Sequence, residues 1–489
     1  MMRSGKPDLS KNILYNLILT VSGYVFPILT FPYVTRVLGP ESYGTANFIL
    51  SVVDYAIMLS SLGIGLLGVK EIARCNGDES RLNGVFSSLF SMHLTIALLI
   101  SAVYLATVFA VGEFRENYPL YLVGTVKIIA NVFLIEWLYS GLQQFRYITL
   151  RSIIVRTLYV VAVFLFIRKP DDYGMFVILT VAQVFANSLI NWFYSRSIVR
   201  FRYSLKGTRQ YFGPALSLGT SSFLLSFYVT FIVMYLGFAS GDAAVGYYTT
   251  STKLYAILLS LLGAFNGGLM PYVNSLYGKG GRDAMKGAVS KSLSLVLLLS
   301  IPTAVYSVFM ADDIIEAVAG PQYHNSVLPF KIIIFQVVLV GISQVTELQI
   351  LLTLNKTKEI LFCTGISVLL SVVIMLLFVR RYAEVAAACA VMIPHILEFS
   401  LLYFFARKSI VFKFPWRSTL TYIGLSLAML VFIWAGRRFV EGVFPRLALT
   451  SGIAVLVYIG GIFALKDPMA KLLLQKASDF IHPHKTVEG

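Results

Sequence analysis

Charge is what this sequence has least of. Only 13% of its 489 residues are Asp, Glu, Lys or Arg, while 57% are hydrophobic; soluble domains carry about 25% charged residues. So few charges cannot clothe a water-facing surface of this length. That excludes soluble enzymes, nucleic-acid binders and disordered scaffolds. Cysteine is nearly absent: Cys75, Cys363 and Cys389 are too few and too scattered for a disulfide framework or a metal site. There is no P-loop, paired-Asp nucleotide-sugar motif or HExxH, so neither ATP hydrolysis nor glycosyl transfer has a home. The one glycine-rich run, Gly278-Lys279-Gly280-Gly281, has no strand context and reads as a plain turn. No cofactor is implied.

What is present is apolar length. A helix needs about 20 apolar residues to cross a bilayer. That criterion gives fourteen spans, near 13–35, 43–69, 84–111, 118–140, 149–167, 173–194, 212–238, 244–272, 288–310, 327–354, 360–379, 383–406, 416–436 and 443–465. The weakest is the fifth, which begins with Arg151 and Arg156. The first is too long for a signal peptide and lacks a cleavage site, so it stays. The longest connector, Ser195–Tyr211, is too short for a soluble domain.

An even number of spans puts both ends on one side. If that side is the cytoplasm, it holds 28 of the 40 basic residues and the opposite side holds 9. The positive-inside rule then makes both termini and Cys75 cytoplasmic. The net charge of +16 thus records topology, not nucleic-acid binding. The basic and aromatic connector Arg196–Arg209 suits an inner membrane surface and its anionic lipids.

A weak repeat runs through the chain. The first connector reads Leu38-Gly39-Pro40-Glu41-Ser42-Tyr43-Gly44, and the seventh has Leu236-Gly237 followed by Asp242 and Gly246-Tyr247. The echo recurs six spans apart, so the two units insert in the same direction. The expected fold is all-α, with two pseudo-symmetric six-helix lobes at 1–209 and 210–409. Residues 410–489 add a helix pair packed outside and a cytoplasmic tail.

The stretch Phe31-Pro32-Tyr33-Val34-Thr35-Arg36-Val37-Leu38-Gly39-Pro40-Glu41-Ser42-Tyr43-Gly44 resembles the first-loop signature of the polysaccharide-exporter branch of the multidrug/oligosaccharidyl-lipid/polysaccharide (MOP) flippase superfamily. Bacterial O-antigen (Wzx-type) flippases are the members it looks most like. The resemblance implies a non-enzymatic inner-membrane transporter moving an undecaprenyl-diphosphate-linked oligosaccharide from the cytoplasmic to the periplasmic leaflet. It also implies contacts with membrane lipids and with polysaccharide polymerase machinery.

Ionisable residues inside spans are costly and mark pathways or partners. Asp54, Lys127, Glu136, Lys253, Lys331, Glu347 and Glu398 are such residues, with Arg36 near the outer mouth. Several lie on polar stripes at helical spacing: Asn47-Ser51-Asp54-Ser61, Gln183-Asn187-Asn191, Gln336-Ser343-Gln344-Glu347 and His395-Glu398. Such stripes suit helices lining a cleft. Arg36, Lys127, Lys253, Asn47 and Asn187 are therefore the candidate substrate contacts. Asp54, Glu347, His395 and Glu398 are candidates for a polar network or for coupling to H⁺ or Na⁺. Glu136, beside Trp137, and Lys331, near a span mouth, read as snorkelling side chains. A cation-coupled drug antiporter and a membrane polysaccharide polymerase or ligase are the alternatives. The intramembrane lysines and two extra spans argue against the first, and the short outer connectors against the second.

Overall fold

The computed structural model describes residues 9–467 and Met469, apart from Leu62 and Asn76; the side chains of 9–10, 221–223, 225–227, 261–282 and 284 lie outside the description. The terminal tails therefore lie outside the described residues. Among those described, there is no strand.

Contacts divide the chain into two compact units: residues 1–249 with 375–384, and 250–374 with 385–489. This differs from an expected boundary at 209/210, and the reason is local packing. Helix α8 (Arg209–Ser240) stays with the first unit. Gly63 meets Ala215 and Gly219 at one end of α8, and Gly237 meets the Phe48 ring at the other. Residues 375–384 join the same unit, where the Ser240 hydroxyl donates to the Val379 carbonyl at 3.0 Å.

The first unit opens with α1 (Leu9–Ser61), which carries the first expected span and most of the second, whose last residues fall in α2 beyond the left-handed Gly63. Its helical geometry fails at Gly39 (φ 73°, ψ 173°), a conformation that glycine alone adopts cheaply. Pro27, Pro32 and Pro40 all lie within α1. Helices α2 (Ile64–Ala73), α3 (Glu79–Ala110), α4 (Tyr118–Phe133), α5 (Glu136–Gly141), α6 (Phe145–Phe166) and α7 (Tyr173–Ser195) follow before α8. Phe86, Phe90, Trp137 and Trp192 form an aromatic core, with Phe90 stacked 5.1 Å from Trp192.

The connector after α7 docks on that core. Its extended backbone donates from Arg200, Arg202 and Ser204 to the side chains of Asn83, Ser87 and Ser91 on α3. Two residues of extended chain (about 6.6 Å) match one helical turn of four residues (about 6 Å), so every second N–H finds every fourth side chain. Phe201 thereby points into the aromatic core, while Arg196, Arg200, Arg202, Lys206 and Arg209 stay exposed.

Helix α9 (Asp242–Phe309) begins in the first unit and passes at Thr250 into the second, and its backbone remains helical through Gly278–Gly281, where a turn was expected. Next come α10 (Ala311–Ala319), α11 (Val327–Ile333) and α12 (Gln336–Gln344), then α13 (Thr357–Ser409), which holds two spans across a break at Ala383. Helices α14 (Trp416–Phe439) and α15 (Val443–Ala464) close the chain. They do not sit apart: Tyr422, Met429, Ala454 and Tyr458 are in one buried cluster with Leu293, Val296 and Leu297 of α9. Two arginines fix them further. Buried Asp313 of α10 pairs with Arg437 at 2.9 Å and Arg446 at 2.8 Å. Two of the nine basic residues on the sparsely charged side thus have a structural carboxylate.

Candidate functional site

Within the first unit, the polar stripe Asn47-Ser51-Asp54-Ser61 read from the sequence meets Lys127 and Asn131 of α4. Gly124 of α4 sits so close to Val53 of α1 that a Cβ there would lie 2.4 Å from its side chain. That approach lets Lys127 reach Asp54, Nζ to Oδ1 at 2.5 Å, and one turn on Asn131 donates to the Ser61 hydroxyl at 3.3 Å. The pair is lopsided: the Lys127 side chain is 10% exposed and that of Asp54 49%. The carboxylate, not the ammonium expected to meet substrate, is the accessible partner.

A second pair has the same asymmetry, and sequence reasoning missed it. The fourth span breaks between α4 and α5, where Ile135 holds a left-handed φ of 35°. An extrapolated straight helix therefore misplaces Glu136. Helix α7 binds the freed backbone: Ser188 donates to the Ala130 carbonyl at 2.5 Å, Asn191 donates to the Leu134 carbonyl, and the Tyr139 hydroxyl donates to the Asn191 carbonyl. Asn191, expected to line a cleft, is instead fully buried in this joint. Beyond the break, Glu136 Oε1 lies 2.5 Å from Arg151 Nη2, with Arg151 buried and Glu136 half exposed. Arg151 and Arg156 thus sit inside α6, so two of the 28 basic residues assigned to the cytoplasmic side are not loop residues. The signal was there: two arginines in a span too weak to explain otherwise.

The remaining candidates of this unit are less committed. Asn47 and Asn187 each donate to a carbonyl of their own helix, Tyr43 at 2.6 Å and Gln183 at 2.8 Å. Arg36 is exposed on α1. The two glycines of the repeat touch directly. A Cβ on Gly44 would lie 1.8 Å from the Asp242 carbonyl oxygen, and one on Gly246 2.0 Å from that of Pro40. Thr45 closes the contact by donating to Asp242 Oδ2 at 2.5 Å.

In the second unit, Lys253 is exposed on α9. Lys331, read as snorkelling, pairs with Asp312 at 3.0 Å. Glu347 lies on a π-helical stretch, Val345–Leu351, a distortion common at functional positions. Glu398 accepts from the Thr364 hydroxyl at 2.8 Å, within electrostatic reach of Glu347. His395 Nδ1 is 2.9 Å from the Val391 carbonyl of its own helix. An apolar groove of about 780 Å³ runs between α9, α14 and α15, lined among others by Leu258, Leu298, Pro302, Val455 and Ile459. Among the described residues, no cluster of His, Cys, Asp and Glu has the make-up of a metal site.

Residues 9–276 match the family described as polysaccharide biosynthesis protein, and residues 218–377 match MatE. A relative from Escherichia coli (strain K12), named "Putative O-antigen transporter", is 25% identical over 422 residues, 83% of this chain and 99% of its own. One of the same name from Shigella dysenteriae is 24% identical over 280 residues, 55% of this chain and 68% of its own. The solved "Lipid II flippase MurJ, inward closed conformation" superposes with a TM-score of 0.75 at 17% identity, over 94% of this chain and 100% of that one. An outward-facing multidrug resistance MATE family transporter of the MOP superfamily gives 0.54 at 15% identity, over 81% and 94%. At such identities the two structures speak for the fold alone. With more than half of its length matched, this multi-pass membrane chain belongs to the polysaccharide biosynthesis protein family.

Proposed function

We propose that this protein flips an undecaprenyl-diphosphate-linked oligosaccharide, an O-antigen or similar repeat unit, from the cytoplasmic to the periplasmic leaflet by alternating access. One observation carries the reading: helices of the first unit hold buried cations behind half-exposed carboxylates, and those of the second line an apolar groove. A charged pair facing lipid is expensive, so Asp54 and Glu136 belong on a water-filled path. The groove suits an isoprenoid chain, which a transporter of small water-soluble cations has no use for. Each unit offers an exposed cation to an anionic head, Arg36 in the first and Lys253 in the second, and the names of the relatives point to the same substrate class.

Nothing in the sequence offers an ATP site, so an ion gradient drives the cycle. Glu347 and Glu398, with His395 one turn from Glu398, are the groups that would carry H⁺ or Na⁺. The positive-inside split supports an inner-membrane orientation with both termini cytoplasmic. Contacts with polysaccharide polymerase machinery on the periplasmic side follow from the product's fate. Depletion of the protein tests the reading: the lipid-linked repeat unit should accumulate on the cytoplasmic face. Unchanged surface glycan with no accumulated intermediate would refute it.

A further inference from the structure

Arg151 is a buried guanidinium with most of its donors unused. Its Nη2 reaches Glu136 at 2.5 Å and the Ser152 hydroxyl at 2.9 Å. Its Nε and Nη1 are buried and have no hydrogen-bond partner. Five N–H groups are available to a guanidinium; here the three on Nε and Nη1 lack an acceptor. A second cation stands on the same helix: Arg156 donates from Nη1 to the Ser22 hydroxyl at 2.6 Å and to the Leu19 carbonyl at 3.2 Å, and lies beside Gly23 of α1. Glu136 and Arg151 are both within electrostatic reach of Arg156. Two guanidiniums against one carboxylate leave this cluster on α1, α5 and α6 with a net positive charge.

An ion pair serving packing alone would satisfy its donors and bury its carboxylate. Here the carboxylate is the outer partner, half exposed, and the arginine behind it keeps free donors. We infer that Arg151 and Arg156 form a loading site for a lipid-linked diphosphate, screened by Glu136, which the diphosphate displaces. The inference rests on the flippase reading and adds to it the place where the head is first held. A phosphodiester headgroup carries one charge, like the carboxylate it would replace, and so gains little by exchange. A diphosphate brings more charge and more acceptor oxygens to the idle donors of Arg151, and bidentate guanidinium contacts favour such groups. Glu136 therefore selects against bulk phospholipid.

Binding of geranylgeranyl diphosphate to the purified full chain in phosphatidylcholine nanodiscs tests this, with phosphatidylglycerol added as a competitor. Glu136→Gln removes the competing charge and should tighten binding roughly tenfold, while Arg151→Gln should weaken it by at least as much. Arg151→Lys should restore part of the loss, and phosphatidylglycerol should compete poorly. If Arg151→Gln fails to fold, Arg156→Gln reads the same site and should also weaken binding. Glu136→Gln that leaves the affinity unchanged or lowers it would show a structural pair and overturn the site, while the flippase reading stands. Equal competition by phosphatidylglycerol would assign the arginines to a lipid headgroup, again overturning the diphosphate site. A wild-type chain that binds no prenyl diphosphate at all would count against the flippase reading itself.

Discussion

Lys127 and Asp54 show how the cost of an intramembrane charge depends on which partner is covered. Removing the outer carboxylate strands an ammonium that is 10% exposed, and an uncompensated buried charge costs up to about 3–5 kcal/mol. Removing Lys127 leaves a half-exposed carboxylate that water reaches, with a loss nearer 1 kcal/mol. Asp54→Ala should therefore lower the melting temperature of the detergent-solubilised protein clearly more than Lys127→Ala. Equal losses would mean that both groups are equally buried. Both were legible in the sequence, Asp54 on a polar stripe and Lys127 as an ionisable residue inside a span. Their partnership was not, because it depends on Gly124 letting two helices approach, and glycine gives no hydrophobic signal. Glu136 was misread for a related reason: its direction follows from the left-handed Ile135, which no periodicity shows.

Helix contacts carry the next level, and the paired glycines of the repeat are the tightest approach among the described glycines. A methyl group on Gly246 would overlap the Pro40 carbonyl at 2.0 Å, and overpacking of this kind costs typically about 1–3 kcal/mol. Gly246→Ala should lower thermal stability by that order, and Gly241→Ala should act differently: nothing lies within 4 Å of its Cβ position, so its cost is the positive φ alone. Comparable unfolding curves for Gly246→Ala and wild type would contradict the contact. The echo between the first and seventh connectors thus had a physical basis, since the two glycines of the echo pack against each other.

The same contact should sense pH. Burial pushes the Asp242 carboxyl above the usual carboxylate range, opposed by the Thr45 hydrogen bond and reinforced by Glu41 and Glu116. A raised value means the folded state holds the proton more tightly. Its stabilising effect is full below the unfolded value, near 3.9, and is lost as pH rises through the raised one. Asp242→Asn should flatten that part of the stability–pH profile, measured as melting temperature against pH. An unchanged slope would place the titration elsewhere.

At the scale of the whole molecule, the all-helical membrane class could be read from hydropathy, because long apolar runs are a strong and local signal. Among the described residues ten helices are long and apolar enough to span, and α1 and α13 each merge two of the expected runs. Partition into units could not, since it depends on which neighbour α8 chooses and on the Asp313 pairs that tie α14 and α15 into the second unit. Orientation rests on charge counting, and the structure changes how it is best tested. Cys75 is buried, so its failure to react would say nothing about sidedness. A cysteine placed at exposed Arg202, with Cys75, Cys363 and Cys389 replaced, should react with a membrane-impermeant thiol reagent only after permeabilisation. One at exposed Glu113 should react in intact cells. The reverse pattern would invert the topology.

The most direct test of the flippase account is translocation by the purified protein. Reconstituted into liposomes with a lipid-linked oligosaccharide on one leaflet, the wild-type chain should expose the glycan to an enzyme confined to the opposite side. Lys253→Ala, with its ammonium lost from an exposed position, should fold normally and move it several-fold more slowly, and Lys253→Arg should retain part of the rate. Transfer no faster than in protein-free liposomes, across both pH and sodium gradients, would contradict the account.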